Sequence, residues 1–256
     1  MQGVTLHCNK TTDASGIVHI MNSIDPKMLD FANHRADATV DDVKTLCETV
    51  LTYGFNSAFV NPVHVKLAKS CVGENAKVGT VVSFPLGQDR QDIKIHAIRE
   101  CIQDGADELD IVPDISKIKE GNADAFQQEL IDLTASARSM RKTIVIKFII
   151  ETGLFLPEQF LSVSDTKEIR SGKLCVQQAA EAIQKSGADF VKICSGMAKR
   201  GVSVDDVVFI RSIVGPMMKI KGAGGIDTKQ EVLALLKAGA NRFGTSHAPE
   251  IIDEKE

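Results

Sequence analysis

The run Asp189–Gly196, DFVKICSG, sets an ammonium-bearing side chain, Lys192, in the middle of what reads as a buried β-strand. Lysine and aspartate are almost never fully buried without a partner, so a lysine at this position requires a reason. Four more charges fall late in apolar runs: Asp30 closes KMLD, Asp110 sits in ELDIVP, Lys147 in IVIKFII and Lys221 in MKIKGAG. Singly, each reads as readily as a satisfied structural charge or a rim residue as it does as a functional group. Five on separate strands point to one pocket, where three lysines and two aspartates shift one another's pKa values and can hold an amine neutral. A neutral amine attacks a carbonyl to form a Schiff base, and the iminium is an electron sink for breaking or making a carbon–carbon bond. Lys192, mid-strand among Phe190, Val191 and Ile193, is the expected nucleophile. Lys221, followed at once by a glycine-rich turn, is the expected depressor of its pKa. Strand alternation puts Glu108 and Asp110 on one face, so parity leaves the acid/base open between them. Asp110 lies nearer the C-terminal mouth and is preferred.

A second constellation is Gly222-Ala223-Gly224-Gly225, with Gly244-Thr245-Ser246 after the next strand and Ser195-Gly196 after the lysine strand. Loops at these places in a barrel often hold a phosphate through backbone N–H groups, which glycine lets approach closely. Tight turns chosen for positive φ are the alternative, but two adjacent loops agree. The implied ligand is a small phosphorylated aldehyde or ketone.

The elements that must position these groups repeat along the chain. Gly105-Ala106-Asp107, Gly187-Ala188-Asp189 and Gly239-Ala240-Asn241 each end an amphipathic helical pattern and precede a β-rich run, and Gly54 does the same before NSAFVNP. Helix starts repeat as capping boxes at Thr39, Ser203 and Thr228, each with an acid three residues later. Strands are expected near 27–30, 57–61, 77–84, 108–113, 143–150, 190–195, 218–223 and 242–246, with helices between nearly all of them. Eight such units predict a single α/β domain over 1–256, a (β/α)₈ TIM barrel. A doubly wound sheet is disfavoured because no G-x-G-x-x-G follows the first strand. Residues 1–20 and the charged end, 252–256, are expected to be mobile tails.

Composition agrees with an enzyme of small molecules: 43% hydrophobic, 25% charged, net charge −4, with no basic excess to attract nucleic acid or an anionic membrane. The N-terminus lacks a signal-peptide core and no apolar run reaches bilayer length, so a cytoplasmic location is expected. The six cysteines are scattered and read as reduced thiols. No metal or cofactor is expected; His96 with Glu100 reads as a solvated helix face. A homo-oligomer stays open, because interface stripes and core stripes share one periodicity.

VGTVVSFPLG, ADELDIV, IKFIIETG, GADFVKICSG and IKGAGGI, in this order and spacing from about Leu29 to Ser246, resemble the deoxyribose-phosphate aldolase family, class I aldolases on (β/α)₈ barrels. The resemblance implies reversible cleavage of 2-deoxy-D-ribose 5-phosphate to acetaldehyde and D-glyceraldehyde 3-phosphate, with no cofactor. It implies Lys192 as Schiff-base lysine, Lys221 as the second lysine and Asp110 as an acid/base working with water. Asp30 and Lys147 match polar residues of the same pocket, and Gly196, Gly224, Gly225, Gly244 and Ser246 match phosphate-binding positions. Phe59 stands where the family often has cysteine, Ala32 where threonine is usual and Asp227 where arginine is common. Met197 and His247 also differ. A carboxylate at 227 either opposes a phosphate or favours the start of the helix behind it. Alternatives are another Schiff-base aldolase of small phosphorylated sugars, an inactive sugar-phosphate-binding barrel, and an isomerase, which would want a histidine electrophile.

Overall fold

The computed structural model describes residues 24–254. Eight parallel strands close into a ring: β1 (Leu29–Asn33), β2 (Ser57–Val60), β3 (Lys77–Val82), β4 (Glu108–Ile111), β5 (Val145–Ile150), β6 (Phe190–Ile193), β7 (Lys219–Ala223) and β8 (Arg242–Thr245). Each pairs with the next, and β8 closes on β1 through Asp30 opposite Gly244. Between and around them run α1 (Val40–Tyr53), α2 (Val65–Val72), α3 (Gln91–Gln103), α4 (Ser116–Lys119), α5 (Ala123–Met140), α6 (Lys167–Lys185), α7 (Val204–Val214), α8 (Lys229–Ala238) and α9 (Ala248–Asp253). This is the (β/α)₈ barrel that the repeats predict.

The local signals act as their chemistry requires. Thr39, Ser203 and Thr228 each accept the backbone N–H three residues on, and the acid there accepts the cap's own N–H in return. Gly54 and Gly239 close α1 and α8 at φ 71° and 113°, a left-handed conformation that a Cβ would strain. Along α1 the buried residues Val43, Leu46, Cys47 and Val50 form one stripe against the sheet.

Period-two alternation then sorts the strand residues. Leu109 and Ile111, Ile146, Phe148 and Ile150, and Val191 and Ile193 join the apolar layer between strands and helices. Their neighbours Glu108, Asp110, Lys147 and Lys192 therefore face the barrel interior. Burial of each large apolar side chain in that layer contributes roughly 1.5–3 kcal/mol, which sets the scale of what offsets an ionic interior.

One boundary corrects the expected pattern. Pro26–Met28 is a single 3₁₀ turn, with the Asp25 side chain accepting the Lys27 N–H, so β1 starts at Leu29 and runs to Asn33. Asp30 is thus the second residue of its strand, not the last, and lies deep in the barrel. Residues 1–23 and 255–256, which include most of the expected tails and Cys8, lie outside the described residues; Ile252 and Asp253 are helical, and the Tyr53 hydroxyl donates to Asp253 at 2.6 Å. The remaining cysteines, Cys47, Cys71, Cys101, Cys175 and Cys194, are free thiols. His96 and Glu100 are exposed on α3. Among the described residues no helix is long and apolar enough to cross a membrane.

Candidate active site

The barrel interior carries a connected set of charges at two heights. Lower down, Asp30 accepts from Asn56 Nδ2 and Ser57 Oγ, both at 2.8 Å, and pairs with Arg242 at 2.9 Å. Glu108 is bound at the same level by Lys147 at 2.6 Å, Asn56 at 3.1 Å and Lys77 at 3.2 Å. Above them, Asp110 receives three lysines: Lys192 at 2.7 Å, Lys221 at 2.9 Å and Lys147 at 3.0 Å. Lys221 bridges the two levels, its Nζ also 2.6 Å from Asp30.

Three carboxylates, Asp30, Glu108 and Asp110, thus face five basic groups, the half-exposed Lys77 and the interior Lys147, Lys192, Lys221 and Arg242, so positive charge is in surplus. Burial alone would raise the Asp110 pKa, but Lys147, Lys192 and Lys221 outweigh it and hold the carboxyl well below the usual carboxylate range. Asp30 is likewise lowered, burial being overcome by Lys221, Arg242 and Lys147. Lys147 loses charge stability to burial but regains more from Asp110, Glu108 and Asp30, so it stays firmly protonated. The surplus falls on Lys192. Burial pushes its pKa down, Asp110 opposes, and the Lys221 and Lys147 charges add to burial, leaving it at about 8. Its side chain is only 4% exposed, at the floor of a cavity.

That cavity, about 620 Å³, opens at the C-terminal ends of the strands, where (β/α)₈ enzymes keep their active sites. It brings together Lys192, Lys221, Ser195, Gly196, Gly224 and Gly225, along with Gly244 and Ser246. Asp110, Asp30 and Lys147 have no exposed surface and do not line it. The expectation that Asp30 and Lys147 belong to the substrate-lining wall is therefore corrected: Asp30 begins low in β1, and both charges are sealed under Lys221 and Asp110. Parity left Glu108 and Asp110 as equals. The preference for Asp110, as the one nearer the mouth, accords with the heights observed: Glu108 is engaged by Lys147 and Lys77 from below while Asp110 touches both cavity lysines.

Arg242, His34 and Glu151 were not singled out in the sequence, and Phe59 was marked there only as a departure from the family. Arg242 opens β8, and its even spacing from Gly244 was the available signal that it faces inward. Phe59 puts its ring centroid 3.9 Å from Lys221 Nζ and 5.0 Å from Lys147 Nζ, a cation–π floor over the lysines. Room for that ring comes from the adjacent strand β3, where a Cβ at Gly79 would run into it. His34, which no periodicity marks, packs on Phe59 and Phe84 at the cavity wall. Burial first, with the Lys192 charge adding to it, lowers its pKa to about 3, so the ring is neutral. Glu151, just past β5, accepts the Ser195 N–H at 2.9 Å and holds the turn after the lysine strand, where Cys194 adopts φ 64° and Gly196 φ 83°.

Fold and site together define an aldolase on a (β/α)₈ barrel, and the comparisons with known proteins agree. Residues 23–246 match the DeoC/LacD family aldolase profile, and the chain belongs to this family. Deoxyribose-phosphate aldolase of Caldicellulosiruptor saccharolyticus is 38% identical over 229 residues, covering 89% of this chain and 96% of the relative. That of Thermococcus gammatolerans is 36% identical over 230 residues, covering 89% and 94%. Among solved structures, the aldolase QR15 superposes with a TM-score of 0.77 at 30% identity, covering 89% of this chain and 94% of the other. The tetrameric deoxyribose phosphate aldolase of Aeropyrum pernix also reaches 0.77, at 26% identity, covering 90% and 91%.

Proposed function

We propose that this aldolase reversibly cleaves 2-deoxy-D-ribose 5-phosphate to acetaldehyde and D-glyceraldehyde 3-phosphate through a Schiff base on Lys192. The observation that carries the reading is Lys192, its pKa lowered to about 8, at the floor of a cavity lined in part by glycine loops. In the cleavage direction Lys192 Nζ adds to the open-chain aldehyde C1 and water leaves to form the iminium. Lys221, which faces the cavity and hydrogen-bonds Asp110, relays the C3 hydroxyl proton toward that carboxylate as the C2–C3 bond breaks. The C2–C3 electron pair moves into the iminium, releasing D-glyceraldehyde 3-phosphate and leaving an enamine. Protonation at C2 and hydrolysis then free acetaldehyde. Each placed proton transfer contributes on the order of 10²–10⁴ in rate. The phosphate rests against the backbone of Gly196, Gly224, Gly225, Gly244 and Ser246. The reading is that of a cytoplasmic enzyme that needs no cofactor, because the lysine supplies the electron sink.

Borohydride reduction in the presence of acetaldehyde or the sugar phosphate, followed by peptide mass analysis, tests the reading. The adduct is expected on Lys192. A barrel that only binds sugar phosphate, or an isomerase, leaves that peptide unmodified. Lys221→Leu removes a cation that lowers the Lys192 pKa, so the rising limb of the activity profile is expected to move to higher pH. An unmoved limb, read from kcat/KM against pH, counts against that role for Lys221.

A further inference from the structure

The loops after β7 and β8 offer a phosphate backbone N–H groups, yet most basic side chains of the cavity are already engaged. Lys192 and Lys221 are bound to Asp110, and Arg35 at the rim is held by both oxygens of Asp37 at 2.8 Å. His247 is the basic side chain that belongs to these loops. Its backbone N–H donates to Thr245 Oγ1 at 2.9 Å, and that hydroxyl donates to Ile226 O at 2.6 Å, so the residue is tied to both loops at once. Its Nδ1 lies 3.1 Å from Asp227 Oδ1 and 3.3 Å from Ser246 Oγ. A carboxylate on Nδ1 fixes the ring and leaves Nε2 for a ligand. The same contact settles what a carboxylate does at the mouth of an anion site. Alone, Asp227 would oppose a phosphate; held 3.1 Å from His247 Nδ1, its carboxylate is turned to the ring and occupied locally.

We propose that His247, oriented by Asp227, is the side chain that recognises the substrate phosphate, donating from Nε2, and that Asp227 is its counter-charge. The assignment rests on the sugar-phosphate reading of this cavity and adds to it the residue that selects a phosphorylated substrate. Both side chains are about half exposed or more, at 48% and 62%, so their replacement costs the fold little.

Isothermal titration with inorganic phosphate tests this without relying on turnover. His247→Gln, and His247→Asn as a second variant, are expected to weaken phosphate binding about tenfold, the combined effect of one lost solvent-accessible hydrogen bond to the anion and of an Asp227 carboxylate left without its partner. The double variant H247Q/D227N, which no longer holds a lone carboxylate at the mouth, is expected to bind phosphate about threefold more tightly than H247Q and still more weakly than the unmodified protein, because the histidine donor remains absent. Steady-state kinetics on 2-deoxyribose 5-phosphate should show the matching rise in KM with kcat within about twofold. Unchanged phosphate affinity in H247Q overturns the assignment, and a double variant as weak as H247Q overturns the counter-charge role of Asp227. Acetaldehyde trapping on the unmodified protein is scored separately: its failure sinks the lysine chemistry and leaves the phosphate result standing.

Discussion

Lys192→Met is expected to lose the borohydride-trapped adduct and at least about 10⁴ in kcat, while unfolding at a higher urea concentration than the unmodified protein. The activity loss follows from removal of the amine that forms the iminium. The stability gain follows from the sign of the shift. The folded pKa of about 8 lies below the ordinary lysine value of about 10.4. The favourable contribution of this group is therefore full above about pH 10.4, falls away as pH drops through about 8, and is absent at neutrality, where a buried ammonium must be kept in surplus. Methionine fills similar volume without that charge, and Asp110 keeps Lys147 and Lys221. A gain of about 1–3 kcal/mol at pH 7 is expected, narrowing as the pH is raised toward 10. Urea unfolding at the two pH values measures it, and a variant less stable than the parent at pH 7 would show that the ammonium is not a burden.

Asp110→Asn separates the two halves of the chemistry. The substitution is nearly isosteric but leaves Lys147, Lys192 and Lys221 around a neutral amide, so a loss of about 3–5 kcal/mol of stability is expected from uncompensated buried charge. Asp110 is also the group that props the Lys192 pKa up against burial. Without it the Lys192 pKa falls further, so acetaldehyde trapping should persist and extend to lower pH. Cleavage of the sugar phosphate should nevertheless fall by about 10²–10⁴, because the proton relay through Lys221 has lost its acceptor. Trapping rate and kcat measured on one preparation across pH decide it, and a parallel loss of both would assign Asp110 to structure alone. The limb moves down in this variant and up in Lys221→Leu, a pair of opposite signs that no general loosening of the site produces. Acid sensitivity follows as well. The Asp110 pKa is depressed, so its contribution to stability is present above the ordinary carboxylate range and lost only as pH falls through the lowered value.

Much of this was legible in the chain because it is written in short-range chemistry. Capping boxes at Thr39, Ser203 and Thr228 and the helix-closing glycines repeat at local spacing, so the count of β/α units and hence the barrel could be read directly. Charges set late in apolar runs marked Asp110, Lys147, Lys192 and Lys221 for one shared pocket, and the glycine runs marked the loops that line the cavity. Height along the barrel axis was legible within one strand, where Asp110 follows Glu108, but not from one strand to another. It depends on where each strand begins and how far each is staggered against the next, which are properties of the closed ring and not of any one segment. The 3₁₀ turn at Pro26–Met28 lowered Asp30 beneath the floor, and the stagger set Glu108 with Arg242 and Lys77 while lifting Asp110 to Lys192 and Lys221. Residue types and spacing determined that lysines and carboxylates would share one interior; only the closed barrel decided which lysine carries the surplus charge, because a pKa is set by distances that sequence separation does not measure.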